Sequence, residues 1–203
     1  MAPFVVNPDA VHEFKTLKAL TAWYRKNHKT APELWIKIHK KDSGLPSVTN
    51  VEGFEEALCW GWIDAIRKPF DDQSFLQRYT PRGKRSLWST RNQGIVARLI
   101  QEGRMQPTGQ AEIDRAKDDG RWARAYDGSA KMEFPNDLLA AIENEPKALE
   151  LFQTLNAQNR YALAFRTHHM KTEAGRKKKI ATFVEMLKRG ETIYPNGKGA
   201  KSK

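Results

Sequence analysis

The chain has 203 residues, enough to bury a core as one domain or two small ones, and its 39% hydrophobic and 29% charged content is that of a globular protein. Its single cysteine excludes an intramolecular disulfide framework and a multi-thiolate metal site. A formal net charge of +11 excludes an acidic, self-solvating chain and points to an anionic partner, whether nucleic acid, acidic protein or lipid headgroup.

That charge is uneven. Residues 78–91 hold Arg78, Arg82, Lys84, Arg85 and Arg91 with no acid, and residues 166–203 hold eleven cations against Glu173, Glu185 and Glu191. The rest of the chain is slightly acidic. The competing interpretation is a solvated helix face plus a Lys-rich tail. No run approaches membrane-spanning length, and Met1 to Asp9 lacks a basic stretch followed by a long apolar one, so the expected location is the cytoplasm.

In chain order, Phe14, Leu17, Leu20 and Tyr24 recur at helical spacing and predict an amphipathic helix over 9–27, with Asp9 as its N-cap. Glu33 to Lys40 alternates Leu34, Ile36 and Ile38 against Trp35, Lys37 and His39, a half-buried strand. Thr49 and Glu52 have capping-box spacing ahead of a helix through Cys59 that Gly61 stops. Two strands follow, Trp62 to Lys68 and Ser74 to Thr80, around a turn at Pro69 to Gln73. Ser86 or Ser89 caps a helix through Ile95 and Leu99 to Gly103, and another helix runs from Gly109 to Asp118.

Beyond a linker at 126–133 the pattern is wholly helical. Pro135 to Asp137 opens one helix and Glu145-Pro146 interrupts before the next. Asn156 caps a third, Thr172 opens a fourth that reaches Gly190, and 191–203 reads as a flexible basic tail. The expected architecture is α+β. It comprises a small antiparallel sheet with packing helices over 1–125 and an all-helical module over 134–190.

Leu58 to Asn92 concentrates three of the six tryptophans, the cysteine and the first basic cluster. Trp60, Trp62, Tyr79 and Trp88 beside Arg82, Lys84 and Arg85, with Asp64, Ser86 and Asn92, form the candidate binding surface. Aromatic rings among cations suit a single-stranded nucleic acid. In the first strand Asp64 shares a face with Trp62 and Ile66, where an unpaired charge is costly, and a brace to Arg82, Arg85 or backbone amides is the favoured role. Cys59 reads as a small core residue. His168 and His169 are adjacent on a helix and point apart, which disfavours a shared metal. No triad spacing, nucleotide loop or metal motif appears, so no catalytic residue, metal or cofactor is expected.

The residues also carry a resemblance. Glu56-Ala-Leu-Cys-Trp-Gly-Trp-Ile-Asp64, Tyr79-Thr-Pro-Arg82, Ser86-Leu-Trp-Ser89 with Asn92, Phe134-Pro-Asn-Asp-Leu138, Arg160, and Thr172 through Ile180 to Met186-Leu187 resemble the YdeI/OmpD-associated, bacteriocin-protection (OmdA-type) family of bacterial proteins. The resemblance implies a YjbR-like N-terminal unit followed by an OmpD-associated helical module that docks a protein partner through 134–190. It also implies a role in protection against bacteriocins or cationic antimicrobial peptides, and it supplies no catalytic residue set. The chain departs from it at Arg176-Lys-Lys-Lys179, where relatives carry an Arg-rich segment and Lys cannot reproduce a bidentate fork.

Three functional classes follow. The first is a non-catalytic stress or peptide-resistance factor acting through protein contacts. The second is a nucleic-acid or polyanion binder using 78–92, and the third a small-molecule-binding enzyme with a pocket at Cys59, Asp64, Arg82 and Ser86. A free protein of charge +11 repels cationic peptides, so direct sequestration of them is not expected.

Overall fold

The computed structural model describes residues 5–128 and 132–197, and the chain divides into two compact units, Met1–Ala125 and Tyr126–Lys203. Among the described residues the first unit holds β1 (Val11–Glu13), α1 (Leu17–Asn27), β2 (Leu34–His39), α2 (Asn50–Cys59), β3 (Trp62–Pro69), β4 (Ser74–Pro81), α3 (Thr90–Gln101) and α4 (Pro107–Asp118). The second holds α5 (Asn136–Glu143), α6 (Pro146–Thr154), α7 (Ala157–His168) and α8 (Glu173–Lys188). This is an α+β architecture.

The sheet has the order β1-β2-β4-β3 and is mixed, which corrects the all-antiparallel expectation. β2 with β4 and β4 with β3 are antiparallel, while β1 lies parallel to β2 with Val11 opposite Trp35. The predicted 9–27 helix therefore begins late. Thr16, not Asp9, is its N-cap, accepting from the Ala19 amide at 3.3 Å. Residues 11–13 instead fill the free edge of β2, where Glu13 accepts from His39 Nε2 at 3.0 Å and pairs with Lys37 at 3.7 Å. A short helical N-terminal turn gains little on its own, whereas strand pairing with two side-chain ties satisfies the same backbone groups.

Helix α2 is the hub of this unit, touching α1, β3, α3 and α4. Its capping box is complete, with Thr49 Oγ1 accepting from the Glu52 amide at 3.1 Å and the Glu52 carboxylate from the Thr49 amide at 2.7 Å. Its far end is set by two glycines. Gly61 ends it at φ +79°, and Gly109 of α4 lies so close that a Cβ there would stand 2.2 Å from the Cys59 carbonyl oxygen. Against α2 and the sheet pack Leu20, Tyr24, Leu34, Ile36, Leu58, Trp62 and Tyr79, all at most 2% exposed.

The second unit buries Leu138, Ile142, Phe152, Leu163, Phe183 and Leu187 between α5, α6, α7 and α8. Arg160 completes the end of α6 by donating to the carbonyls of Leu155, Phe152 and Gln153 at 3.1, 3.2 and 3.1 Å. Part of the expected tail is docked. The Asn196 side chain accepts from the Asn156 amide at 2.8 Å and donates to the Thr154 carbonyl at 3.2 Å, and Asn159 Oδ1 accepts from the Tyr194 amide at 3.0 Å. Residues 198–203 of that tail, and 129–131 of the expected linker, lie outside the described residues.

Candidate functional site

The loop between β4 and α3 is built around its arginines. Arg82 follows β4 and is 5% exposed, its guanidinium lying over the Trp88 ring at 3.6 Å and donating to the Leu87 carbonyl at 3.2 Å. Arg121, 8% exposed and paired with Asp119 at 2.8 Å, donates to the Ser86 carbonyl at 2.7 Å. Arg115 of α4, paired with Glu112, reaches the Gly83 carbonyl at 3.5 Å. Ser86 Oγ accepts from the Gly83 amide at 3.0 Å inside the loop, and Ser89 caps α3 by accepting from the Asn92 amide at 3.1 Å. The carbonyls that a tight loop leaves unpaired are thus satisfied by guanidiniums, whose forked donors suit that task.

Those contacts decide which cations are left for a partner. Lys84, Arg85 and Arg91 are exposed and make no ion pair among the described residues, whereas Arg82 belongs to the loop's interior. The aromatic half of the predicted surface is core. Trp60, Trp62, Tyr79 and Trp88 are 7%, 1%, 0% and 2% exposed, so their rings lie in the core rather than in water. Tyr24 stacks on Trp60 at 6.3 Å and meets Trp62 edge-on at 5.4 Å. The indole N–H of Trp60 donates to Glu56 at 2.8 Å and that of Trp62 to the His28 carbonyl at 3.2 Å. Tryptophans held this way have no face for a nucleobase.

Asp64 departs from the buried brace that alternation predicts. Its ladder partner is Tyr79, and the register shifts immediately after it, between Asp64 and Arg67, so the alternation that put Ile66 on its face is broken. Asp64 is exposed, as is Ile66 at 38%. The carboxyl is nevertheless partly dehydrated, which raises its pKa above the usual carboxylate value against the opposing pull of its own backbone amide, Arg82, Arg91 and Arg67. Arg67 is fixed, donating to Gln77 at 3.0 Å and Asn50 at 2.6 Å and lying over Phe75 at 4.4 Å. Arg91 belongs to the basic run 78–91 that the sequence singles out, whereas Arg67 was not among the expected residues.

Cys59 is buried, and desolvation first, then Glu56, pushes its thiol up to about 12, which removes thiolate chemistry near neutral pH. The two histidines of α7 bond separately, His168 to the Glu133 carbonyl at 3.0 Å and His169 to the Phe165 carbonyl at 2.7 Å. Among the described residues no cluster of three or more His, Cys, Asp or Glu is arranged to hold a metal ion. No helix of the described residues is long and apolar enough to cross a membrane.

In the second unit the basic run of α8 separates by residue type. Arg176 forms a two-pronged pair with Asp137 at 2.6 and 2.7 Å and donates to the Thr167 carbonyl at 3.0 Å, tying α8 to α5 and α7. Lys177 and Lys178 stay exposed. Arg176 is the one member of the cluster able to form a fork, and the fork is spent inside the fold.

Comparison with known proteins adds two family matches. Residues 12–112 match a domain of unknown function, DUF8412, and residues 131–190 match the family described as bacteriocin-protection, YdeI or OmpD-associated. No curated protein and no solved structure gives a significant match. The helical unit, over residues 131–190, thus carries a match to the YdeI/OmpD-associated family.

Proposed function

We propose that the protein is a cytoplasmic, non-catalytic interaction factor in resistance to bacteriocins or antimicrobial peptides, and that its partner presents an anionic surface. The observation that carries this reading is the clamped loop. Three guanidiniums hold its carbonyls while Lys84 and Arg85 stand in water at its tip. A loop already ordered loses less conformational freedom on binding, and two adjacent cations give charge recognition without stacking. The description of the family matched at 131–190 supports the resistance role. The charge of +11 argues for action on a cellular partner rather than on cationic peptides themselves.

The test is complementation of a deletion strain under bacteriocin or cationic-peptide challenge with the wild-type chain or with Lys84→Glu/Arg85→Glu. The expected result is normal expression of the double variant and loss of protection. Full protection by the folded double variant would remove the loop from the mechanism. The nucleic-acid reading keeps its electrostatic part only, because its stacking residues lie inside the core.

A further inference from the structure

The start of α7 carries two asparagines whose hydrogen bonds run to one short stretch of chain. Asn156 caps the helix by accepting from the Asn159 amide at 2.9 Å, and Asn159 is only 1% exposed. A buried asparagine is a poor helix former and needs partners for both halves of its side-chain amide. Asn159 finds them on Tyr194, accepting from its backbone N–H at 3.0 Å and donating to its carbonyl at 3.1 Å. One side chain thus serves both backbone groups of one residue, which recognises chain without regard to the side chain it bears.

The neighbouring bonds add a sequence requirement. The Asn196 side chain accepts from the Asn156 amide at 2.8 Å and from Asn159 Nδ2 at 3.3 Å, and donates to the Thr154 carbonyl at 3.2 Å. Asn156 Nδ2 donates to the Pro195 carbonyl at 3.3 Å, and Pro195 has no N–H of its own to satisfy. Ile193 packs on the helical core, while Tyr194 is 40% exposed with the Arg166 guanidinium 5.8 Å from its ring. The groups left open at the ends of α6 and α7 are therefore matched to an aliphatic–x–Pro–Asn sequence in which x is read through its backbone.

This occupant is lightly held. Residues 191–197 form no helix or strand, Tyr194 and Pro195 are exposed, and Ile193 supplies the contact with the apolar core. A segment with few buried apolar contacts opens at far lower cost than the helices it lies on. It also lies beyond residues 131–190, which match the family. Its release leaves a buried amide and helix-end groups unpaired, so the site then favours a replacement of the same chemistry. We propose that Asn156, Asn159 and the Thr154 carbonyl form a peptide-recognition site, filled here by the chain's own residues 193–196, that takes in exchange an aliphatic–x–Pro–Asn segment of a protein partner. The site is independent of the loop reading, because Lys84 and Arg85 take no part in it.

The test is fluorescence anisotropy of a labelled peptide with the sequence of residues 192–197, titrated with the full chain and with its Asn196→Ala variant. The variant loses the bonds to Asn156, Asn159 and Thr154 and loosens the internal segment, while the recognising side chains stay intact. Tyr194→Pro, which removes the amide that Asn159 accepts from, opens the site by a second route. The peptide is expected to bind either variant at least about tenfold more tightly than the wild type, whose site is occupied. Altered peptides then probe recognition with the protein unchanged. Replacing the peptide's asparagine by alanine, or methylating its tyrosine amide, is expected to weaken binding about tenfold each. Replacing its tyrosine by alanine is expected to cost no more than about threefold. No binding to either variant at about 1 mM peptide, binding indifferent to the asparagine and amide changes, or equal binding by wild type and variants overturns the proposal and leaves residues 193–196 a fixed part of the fold. Wild-type dimers that the peptide dissociates would overturn the partner in favour of a second copy's segment.

Discussion

The cations of the β4–α3 loop and those of α8 both come from basic stretches of sequence and do different work. Around the loop, Arg82, Arg115 and Arg121 turn inward to carbonyls and a ring, leaving Lys84 and Arg85 outside. On α8, Arg176 turns inward while Lys177 and Lys178 beside it remain in solvent. A guanidinium presents several donors in a plane and tolerates burial against aromatic faces, whereas an ammonium is a strongly hydrated point. The cations that hold these two regions together are arginines, although Arg85 and Arg91 show that an arginine of the same run can also stand exposed.

Four substitutions break or sharpen that contrast. Arg82→Ala removes a buried carbonyl contact and the cover over Trp88, and is expected to lower unfolding stability by about 2–3 kcal/mol in a denaturant titration. A loss below about 0.5 kcal/mol, the range of ordinary surface changes, would mean the loop needs no clamp.

Arg176→Lys keeps the charge and loses the fork, with an expected cost of about 1 kcal/mol at neutral pH. Arg176 holds the Asp137 carboxyl below its usual range, chiefly by hydrogen bonding. A depressed folded pKa stabilises above the unfolded value of about 3.9 and is lost as pH falls through the folded one. The gap between wild type and Arg176→Lys should therefore narrow as acid protonates Asp137, and a gap that does not change with pH would assign the effect to packing and the Thr167 contact.

Asp64 works in the opposite sense. Its folded pKa is raised, so the ionised form weakens the fold as pH climbs past the carboxylate range. Asp64→Asn should raise the melting temperature at pH 7, with a gain of only about 0.5 kcal/mol after discounting for solvent screening, and the gain should vanish in acid. The smallest expected effect on stability belongs to Lys84→Glu/Arg85→Glu, within about 0.5 kcal/mol of wild type, since both side chains lie in water.

What the sequence made legible was local. The Thr49 capping box, the Ser89, Asn156 and Thr172 caps and the glycine at 61 are written within a few residues, and the helices and strands they bound are present. β1 was hidden because three residues acquire strand geometry only from β2 beside them. The clamps on the loop were hidden for the same reason, since Arg115 and Arg121 lie 32 and 35 residues from the carbonyls they reach. Burial of the tryptophans was equally beyond reach, because a dense aromatic and basic segment reads the same whether its rings face water or, as here, Tyr24 and Glu56. The docking of Tyr194 to Asn196 had a faint signal in the Tyr-Pro-Asn-Gly turn residues, outweighed by the lysines that follow.

The most direct test of the central claim follows anisotropy of a labelled single-stranded oligonucleotide and of a labelled poly-glutamate peptide at near-physiological salt, with tryptophan emission recorded in the same titration. The account predicts saturable binding of at least one polyanion by the wild type, tryptophan emission unchanged because the rings are buried, and loss of binding in Lys84→Glu/Arg85→Glu. Quenching of tryptophan emission on binding, binding retained by the double variant, or no binding of either polyanion would contradict it.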